Sequence, residues 1–126
     1  MLPFLMELME SLDSRRAREA LPYNALSFKQ FEPLLINPRL SLSIQAGYAL
    51  YSTPRLTLDD LEGYTAMEIA LLEKDNFTRF QEVIPAFDRL KEIEDHWEGS
   101  VYSFVPVDLI QAALDELRAV QVHGGK

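Results

Sequence analysis

The chain contains no cysteine, which excludes disulfides, thiolate metal sites, iron–sulfur clusters and thiol nucleophiles. The absence favours a reducing compartment over secretion. Glycine is sparse and scattered, at positions 47, 63, 99, 124 and 125, so no Gly-rich loop is present to cradle a phosphate. The only histidines are His96 and His123. Neither lies in a nucleophile–base pattern, and no Gly-x-Ser-x-Gly elbow occurs. No apolar run approaches the ~20 residues of a membrane span. The apolar start is interrupted by Glu7 and Glu10 and preceded by no basic residue, unlike a signal peptide. These absences predict a cytoplasmic protein with no membrane attachment, cofactor or metal.

What is there is ordinary globular material: 126 residues, 48% hydrophobic and 25% charged, enough for one domain with its own core. The net charge of -8 is unevenly placed. Residues 1–56 hold five acidic and six basic side chains, and residues 99–126 hold three and two. Residues 57–98 hold twelve acidic against four basic, so the imbalance sits in the middle third. Such a field opposes direct nucleic-acid binding, which relies on Lys and Arg against phosphates. It suits a protein partner with a basic surface, or solubility alone.

Periodicity gives the element pattern. Phe4, Leu5, Leu8, Met9 and Leu12 recur at helical spacing, predicting a helix over 4–20 that Pro22 ends. Ser27 is placed to cap a short second helix over 28–35, interrupted by Pro33. Residues 41–51 alternate, with Leu42, Ile44, Ala46, Tyr48 and Leu50 on one face, the clearest strand signal in the chain. Residues 64–73 read two ways. Thr65-Ala-Met-Glu68 fits a helical capping box, whereas the need of strand 41–51 for partners favours a strand, and the strand is preferred. A helix is predicted over 86–97, a strand over 101–105, and a final helix after Pro106 with Leu109, Ile110, Ala113, Leu114 and Leu117 buried. The tail from Val122, including His123, is expected to fray. The expected fold is α+β: a small three-stranded, mainly antiparallel sheet packed with N- and C-terminal helices. It is a single domain over 1–126, with an N-terminal helical segment (1–40) and an α+β core (41–126).

Two carboxylate clusters and one isolated carboxylate stand out. Glu92, Asp95 and His96 share a helical face, with Glu94 and Glu98 close by. No HExxH pattern accompanies them, so a solvated helix face is the simpler reading than a metal site. Asp59, Asp60 and Glu62 lack the EF-hand spacing and read as a polar turn. Both clusters are candidate partner contacts: Asp59, Asp60 and Glu62 in one, Glu92, Glu94 and Asp95 in the other. Glu68 stands mid-strand between Ala66 and Ala70. A carboxylate there must be exposed, paired or functional, and Arg55 is its candidate partner. The strand aromatics Tyr48, Tyr51, Tyr64, Tyr102 and Phe104 lack a basic frame for stacking nucleobases. Cross-strand packing accounts for them better.

Four stretches carry a resemblance: Ser43-Ile-Gln-Ala46, Tyr51-Ser-Thr-Pro-Arg55, Tyr64 through Glu68-Ile-Ala70, and Val101-Tyr-Ser-Phe-Val-Pro-Val107 leading to His123-Gly-Gly125. In this order, over about 41–125, the chain resembles small proteins of phage, prophage and other mobile bacterial DNA. That group has no established activity, so the resemblance implies no catalytic residue. It implies that Tyr51, Pro54, Arg55, Tyr64 and Glu68 belong to one structural or binding feature, with the N-terminal helices as an addition. Three functions are then expected, in order. The first is a non-enzymatic acidic binding protein, in its most specific form a phage-type inhibitor of a bacterial defence nuclease or CRISPR complex, whose basic channels an acidic surface would occupy. The second is a homo-oligomeric assembly or interaction subunit, such as a homodimer joined through a sheet edge or the Met-rich N-terminus. The third is a small enzyme using carboxylates such as Glu68.

Overall fold

The computed structural model describes residues 2–20 and 28–124, with side chains described as far as residue 120. Pro22, Ser27, the side chain of His123 and Gly125 lie outside the described residues. The sheet corrects the expected architecture. It has six antiparallel strands rather than three: β1 (Leu34–Asn37), β2 (Leu40–Gln45), β3 (Ala66–Glu73), β4 (Asn76–Thr78), β5 (Trp97–Glu98) and β6 (Val101–Pro106). Their order is β1-β2-β3-β6-β5, with β4 also paired to β3. The central strand β3 pairs with β2 along one side and shares its other side between β6 and β4.

β3 occupies the segment that read as helix or strand. Met67, Ile69 and Leu71 are buried on one face beside Leu42 and Ile44 of β2. Paired partners on both sides outweigh the helix-forming preference of Ala, Met, Glu and Leu. β2 is shorter than the alternation suggests, ending at Gln45. Ala46 stays buried, but Tyr48 turns outward at 39% exposed.

The predicted helix over 28–35 is replaced by β1. Pro33 removes a helical donor, and Asn37 turns the chain back into β2 by accepting from the backbone N–H groups of Arg39 (2.8 Å) and Leu40 (2.9 Å) through Oδ1. The predicted helix over 4–20 divides into a 3₁₀ turn at Pro3–Met6 and α1 (Leu12–Ala20). Between them, residues 9–11 run alongside 30–32, with Ser11 N donating to Gln30 O and Glu32 N to Met9 O, both at 2.8 Å. These non-local hydrogen bonds interrupt the helix, and Met9 and Leu12 are exposed instead of buried. The segment over 86–97 forms only α3 (Leu90–Glu94), after the single turn α2 (Phe80–Val83). Trp97 leaves the helical path to pair with Tyr102 across a turn in which Gly99 adopts φ +83.

α4 (Val107–Gly124) follows β6 directly and extends past Val122. Its Leu109, Ile110, Ala113, Leu114 and Leu117 are fully buried in one cluster with the inner face of the sheet. Phe4 and Leu5 complete that cluster, and Phe4 N donates to Gln111 Oε1 at 2.8 Å. The N-terminal segment therefore supplies both an edge strand and core residues. Among the described residues no helix is long and apolar enough to cross a membrane.

Candidate functional site

The inner face of the sheet is sealed by α4, so attention falls on the other face. Alternation places Ser41, Ser43 and Gln45 of β2 and Glu68 and Leu72 of β3 there, all only partly buried. Gln45 lies opposite Glu68 in register. Its amide takes the place of a strand partner for the backbone of Phe31: Phe31 N donates to Oε1 (2.9 Å), and Nε2 donates to Phe31 O (2.8 Å). This holds the 30–33 segment, with 9–13 beside it, as a wall over the sheet. The result is a groove of about 480 Å³. Ser43, Gln45, Glu68 and Leu72 line it from the sheet, Asp13 and Glu32 from the wall, and Leu50 from the neighbouring loop.

Three carboxylates thus line the groove, and among its described lining residues there is no Lys or Arg. Glu10 belongs to the wall's structure. It accepts from Arg18 Nε (2.9 Å), from a terminal guanidinium nitrogen of Arg18, and from Ser14 Oγ (2.8 Å). Those hydrogen bonds, from Arg18 above all, hold its pKa down to about 2. Lys29 places its ammonium 5.5 Å from the centre of the Phe31 ring at this wall.

The loop from Ala46 to Thr57 forms the adjoining rim and is tied down at nearly every residue. The Ser52 hydroxyl is fully buried, accepting from Gly47 N (3.0 Å) and donating to Pro54 O (2.9 Å) across a cis Thr53–Pro54 peptide. Thr57 Oγ1 accepts from Tyr48 N at 3.2 Å. The Tyr64 hydroxyl donates to Leu56 O (2.7 Å) and accepts from Leu58 N (2.8 Å), and burial raises its pKa. Thr53 pairs with Ala66, extending the loop onto the end of β3.

Arg55 and Glu68 meet in this loop through a shared peptide group. Arg55 Nε donates to Leu50 O at 3.0 Å, and Glu68 Oε1 accepts from Tyr51 N at 3.2 Å. In a trans peptide the C=O and N–H point opposite ways, so the two charges flank the Leu50–Tyr51 peptide from opposite sides. Among the described residues no ion pair joins them directly. The guanidinium also lies 5.2 Å from the Tyr51 ring centre, within cation–π range.

Next to Tyr51 the sheet is distorted. Met67 pairs with Val105 but Ile69 with Tyr102, so β6 carries one extra residue. Phe104 in this bulge adopts φ +53, a conformation that is an outlier for a bulky L-residue. Its N–H donates to Tyr51 O at 3.0 Å, and its ring centre lies 5.7 Å from that of Tyr51. Both residues are 40% exposed.

The remaining candidate acids are placed differently. Asp59, Asp60 and Glu62 are exposed, and Asp60 Oδ1 accepts from Glu62 N at 2.9 Å to cap the 3₁₀ turn at Leu61–Gly63. Glu92 pairs with Arg89 (2.7 Å), which holds the Glu92 carboxyl below its usual range, and Asp95 pairs with Lys91 (3.2 Å). Glu94 is mostly buried and structural. Its oxygens accept from Arg79 (2.6 Å), Gln81 N (3.0 Å) and the Tyr102 hydroxyl (2.7 Å). Burial drives the Tyr102 hydroxyl pKa up. His96 donates from Nδ1 to Ser103 O at 2.9 Å. Among the described residues no group of three or more His, Cys, Asp or Glu is placed to hold a metal ion.

The sequence offered no sign of Asp13 and Glu32 at this site, and it showed Gln45 and Phe104 only as strand residues with no site role. Asp13 and Glu32 come to the groove by a backbone pairing that leaves no periodic trace. No family model matches the chain, and neither a curated protein nor a solved structure matches it.

Proposed function

We propose that this chain is a non-enzymatic binding protein of the cytoplasm that engages a protein partner through a basic surface, with the outer sheet face as its contact. The observation that carries this reading is the groove lined by Asp13, Glu32 and Glu68, with no Lys or Arg among its described lining residues. Three carboxylates against the nearby ammonium of Lys29 favour an incoming cation. The exposed Asp59 and Asp60 supply longer-range attraction of the same sign. The resemblance to phage and prophage proteins gives the reading its most specific form: occupation of the basic nucleic-acid channel of a bacterial defence nuclease or CRISPR complex. Affinity capture from a bacterial lysate, at low and moderate salt, tests it. The expected result is one principal partner with a basic channel, released as salt rises. Capture that is insensitive to salt and to the triple change Asp13→Asn, Glu32→Gln, Glu68→Gln would overturn it.

A second reading, self-association, is favoured by a row of side chains on the same outer face. Leu35, Ser41, Leu72 and Phe77 lie in register across four strands, with Leu35 73% and Phe77 56% exposed. Pairing through the β1 edge is disfavoured, because Pro33 and Pro38 bracket its four residues. Sedimentation of the intact chain beside Leu35→Lys decides it: a dimer mass that the substitution halves supports self-association, and a monomer mass for both dismisses it.

A further inference from the structure

We infer that Tyr51 and Phe104, together with Glu68, form a preformed recognition surface for a protein segment in which an aromatic or apolar side chain stands beside a Lys or Arg. The inference rests on the binding reading above and deepens it by naming what the partner presents. Three observations carry it. First, the backbone beneath the surface is hydrogen-bonded within the chain itself. The Leu50–Tyr51 peptide is held on one side by Arg55 and on the other by Glu68, and Tyr51 O accepts from Phe104 N. A pre-organised contact avoids the ordering cost that weakens flexible ones. Second, Phe104 keeps its large side chain in a left-handed bulge at φ +53, where glycine would sit without strain. Strain of this kind concentrates at functional sites. The ring it places beside Tyr51 is partly exposed, leaving aromatic surface open. Third, the charges on the two flanks differ. Arg55 occupies one side of the Leu50–Tyr51 peptide, and Glu68 lies on the other, where the groove also carries Glu32 and Asp13. A partner's ring seated on Tyr51 and Phe104 therefore directs a neighbouring cation toward Glu68 and away from Arg55. Tyrosine, arginine and other large residues of this type dominate the energetics of protein interfaces.

The test uses the full chain, isotopically labelled, and three small probes: acetyl-Trp-Arg-amide, acetyl-Trp-Glu-amide and acetyl-Gly-Arg-amide. Chemical-shift changes are followed on Tyr51, Arg55, Glu68 and Phe104. The expected result is saturable change with the Trp-Arg probe, about tenfold weaker for either other probe, as fits the loss of one charge-assisted or one aromatic contact. Glu68→Gln retains an oxygen to accept from Tyr51 N while removing the charge, and is expected to abolish the preference for Trp-Arg over Trp-Glu. Phe104→Gly removes the ring at a position whose backbone suits glycine, and is expected to weaken both Trp probes. A lysate partner whose capture is unchanged by Glu68→Gln and Phe104→Gly would leave the binding reading standing and overturn this surface. No captured partner, together with probe changes absent from these four residues, would overturn both.

Discussion

Phe104 offers a sharp check because two truncations of the same side chain should rank in reverse of the usual order. Phe104→Ala and Phe104→Gly both discard the ring, so the loss of its burial and of its contact with Tyr51 is common to the two. A phenylalanine 40% exposed forfeits roughly 1–2 kcal/mol of transfer free energy, and the Tyr51 contact about 0.5–1.5 kcal/mol. Both variants should therefore fall below the parent chain while remaining folded. Their difference isolates the backbone. At an ordinary strand position Ala exceeds Gly by about 0.5–1 kcal/mol, because glycine loses more freedom on folding. At φ +53 an alanine Cβ meets the following carbonyl, at roughly 1–2 kcal/mol, and glycine does not. The order should invert, with Phe104→Gly more stable than Phe104→Ala by about 0.5–1 kcal/mol. Urea unfolding followed by tryptophan fluorescence reads this directly. With slopes of about 1–3 kcal/mol per molar for a chain of this size, the midpoints should separate by a few tenths molar, at equal slope. A Phe104→Ala midpoint at or above that of Phe104→Gly would show that the bulge is not strained, and would remove one support from the recognition surface.

Other expectations follow from the same geometry. Glu10, held near pKa 2 by Arg18 and Ser14, has a folded pKa below its unfolded value. It therefore adds stability that is fully present above about pH 4.5 and is lost as pH falls through 2. Arg18→Ala should flatten that acid limb when urea midpoints are compared across the range, and an unchanged limb would refute the assignment. Glu94→Ala should cost about 2–4 kcal/mol, since it strips the Tyr102 hydroxyl, Gln81 N and Arg79 of a mostly buried acceptor. A loss under roughly 0.5 kcal/mol in the same unfolding assay would show that water replaces it freely. Arg55→Ala frees Leu50 O and the Tyr51 ring face. It should cost about 1 kcal/mol and sharpen the backbone relaxation of residues 50 and 51 in NMR, and a variant matching the parent in stability and binding would refute the clamp.

Much of the inner layer was legible because its signals were local and mutually consistent. β2 alternated, β6 was rich in β-formers, and the apolar stripe of α4 is buried residue for residue. The missed elements depended on contacts between distant residues. β4 lies after a two-residue turn at Lys74 and Asp75, whose φ values are +50 and +68. Asn-Gly would have announced that turn, and Lys-Asp does not. β1 hid because Phe28, Phe31 and Leu35 happen to fall at helical spacing, although Asn37-Pro38 between two apolar runs was a usable turn signal. Trp97 fitted a helical stripe equally well as it fits the hairpin with Tyr102. At the candidate site, the expected pairing of Arg55 with Glu68 gives way to a peptide, Leu50–Tyr51, that both side chains contact. That peptide was not legible, since a side chain gripping backbone has no covarying apolar period. Phe104 carried no warning at all, because φ is set by register between β3 and β6 rather than by neighbouring residues.

Charge counted along the sequence pointed to the middle third, but the fold redistributes it. Glu92, Glu94 and Asp95 from that segment are each matched by an Arg or Lys, which leaves less field there than the count suggests. Asp13 and Glu32 come from the first 56 residues, whose net charge is +1, yet they line the groove with Glu68. The two groups of acids should therefore act at different stages of association. Reversing the exposed Asp59 and Asp60 to Lys should lower the association rate and its salt dependence, with little change in dissociation, because rim charges steer encounters. Neutralising Asp13, Glu32 and Glu68 should instead speed dissociation, because on the proposed reading these groups contact the bound cation at the groove. Surface-immobilised kinetics with the captured partner, at several salt concentrations, separates the two effects. Dissociation that quickens with Asp59 and Asp60 but not with the groove acids would place the contact on the Leu61–Gly63 turn and take it away from the sheet.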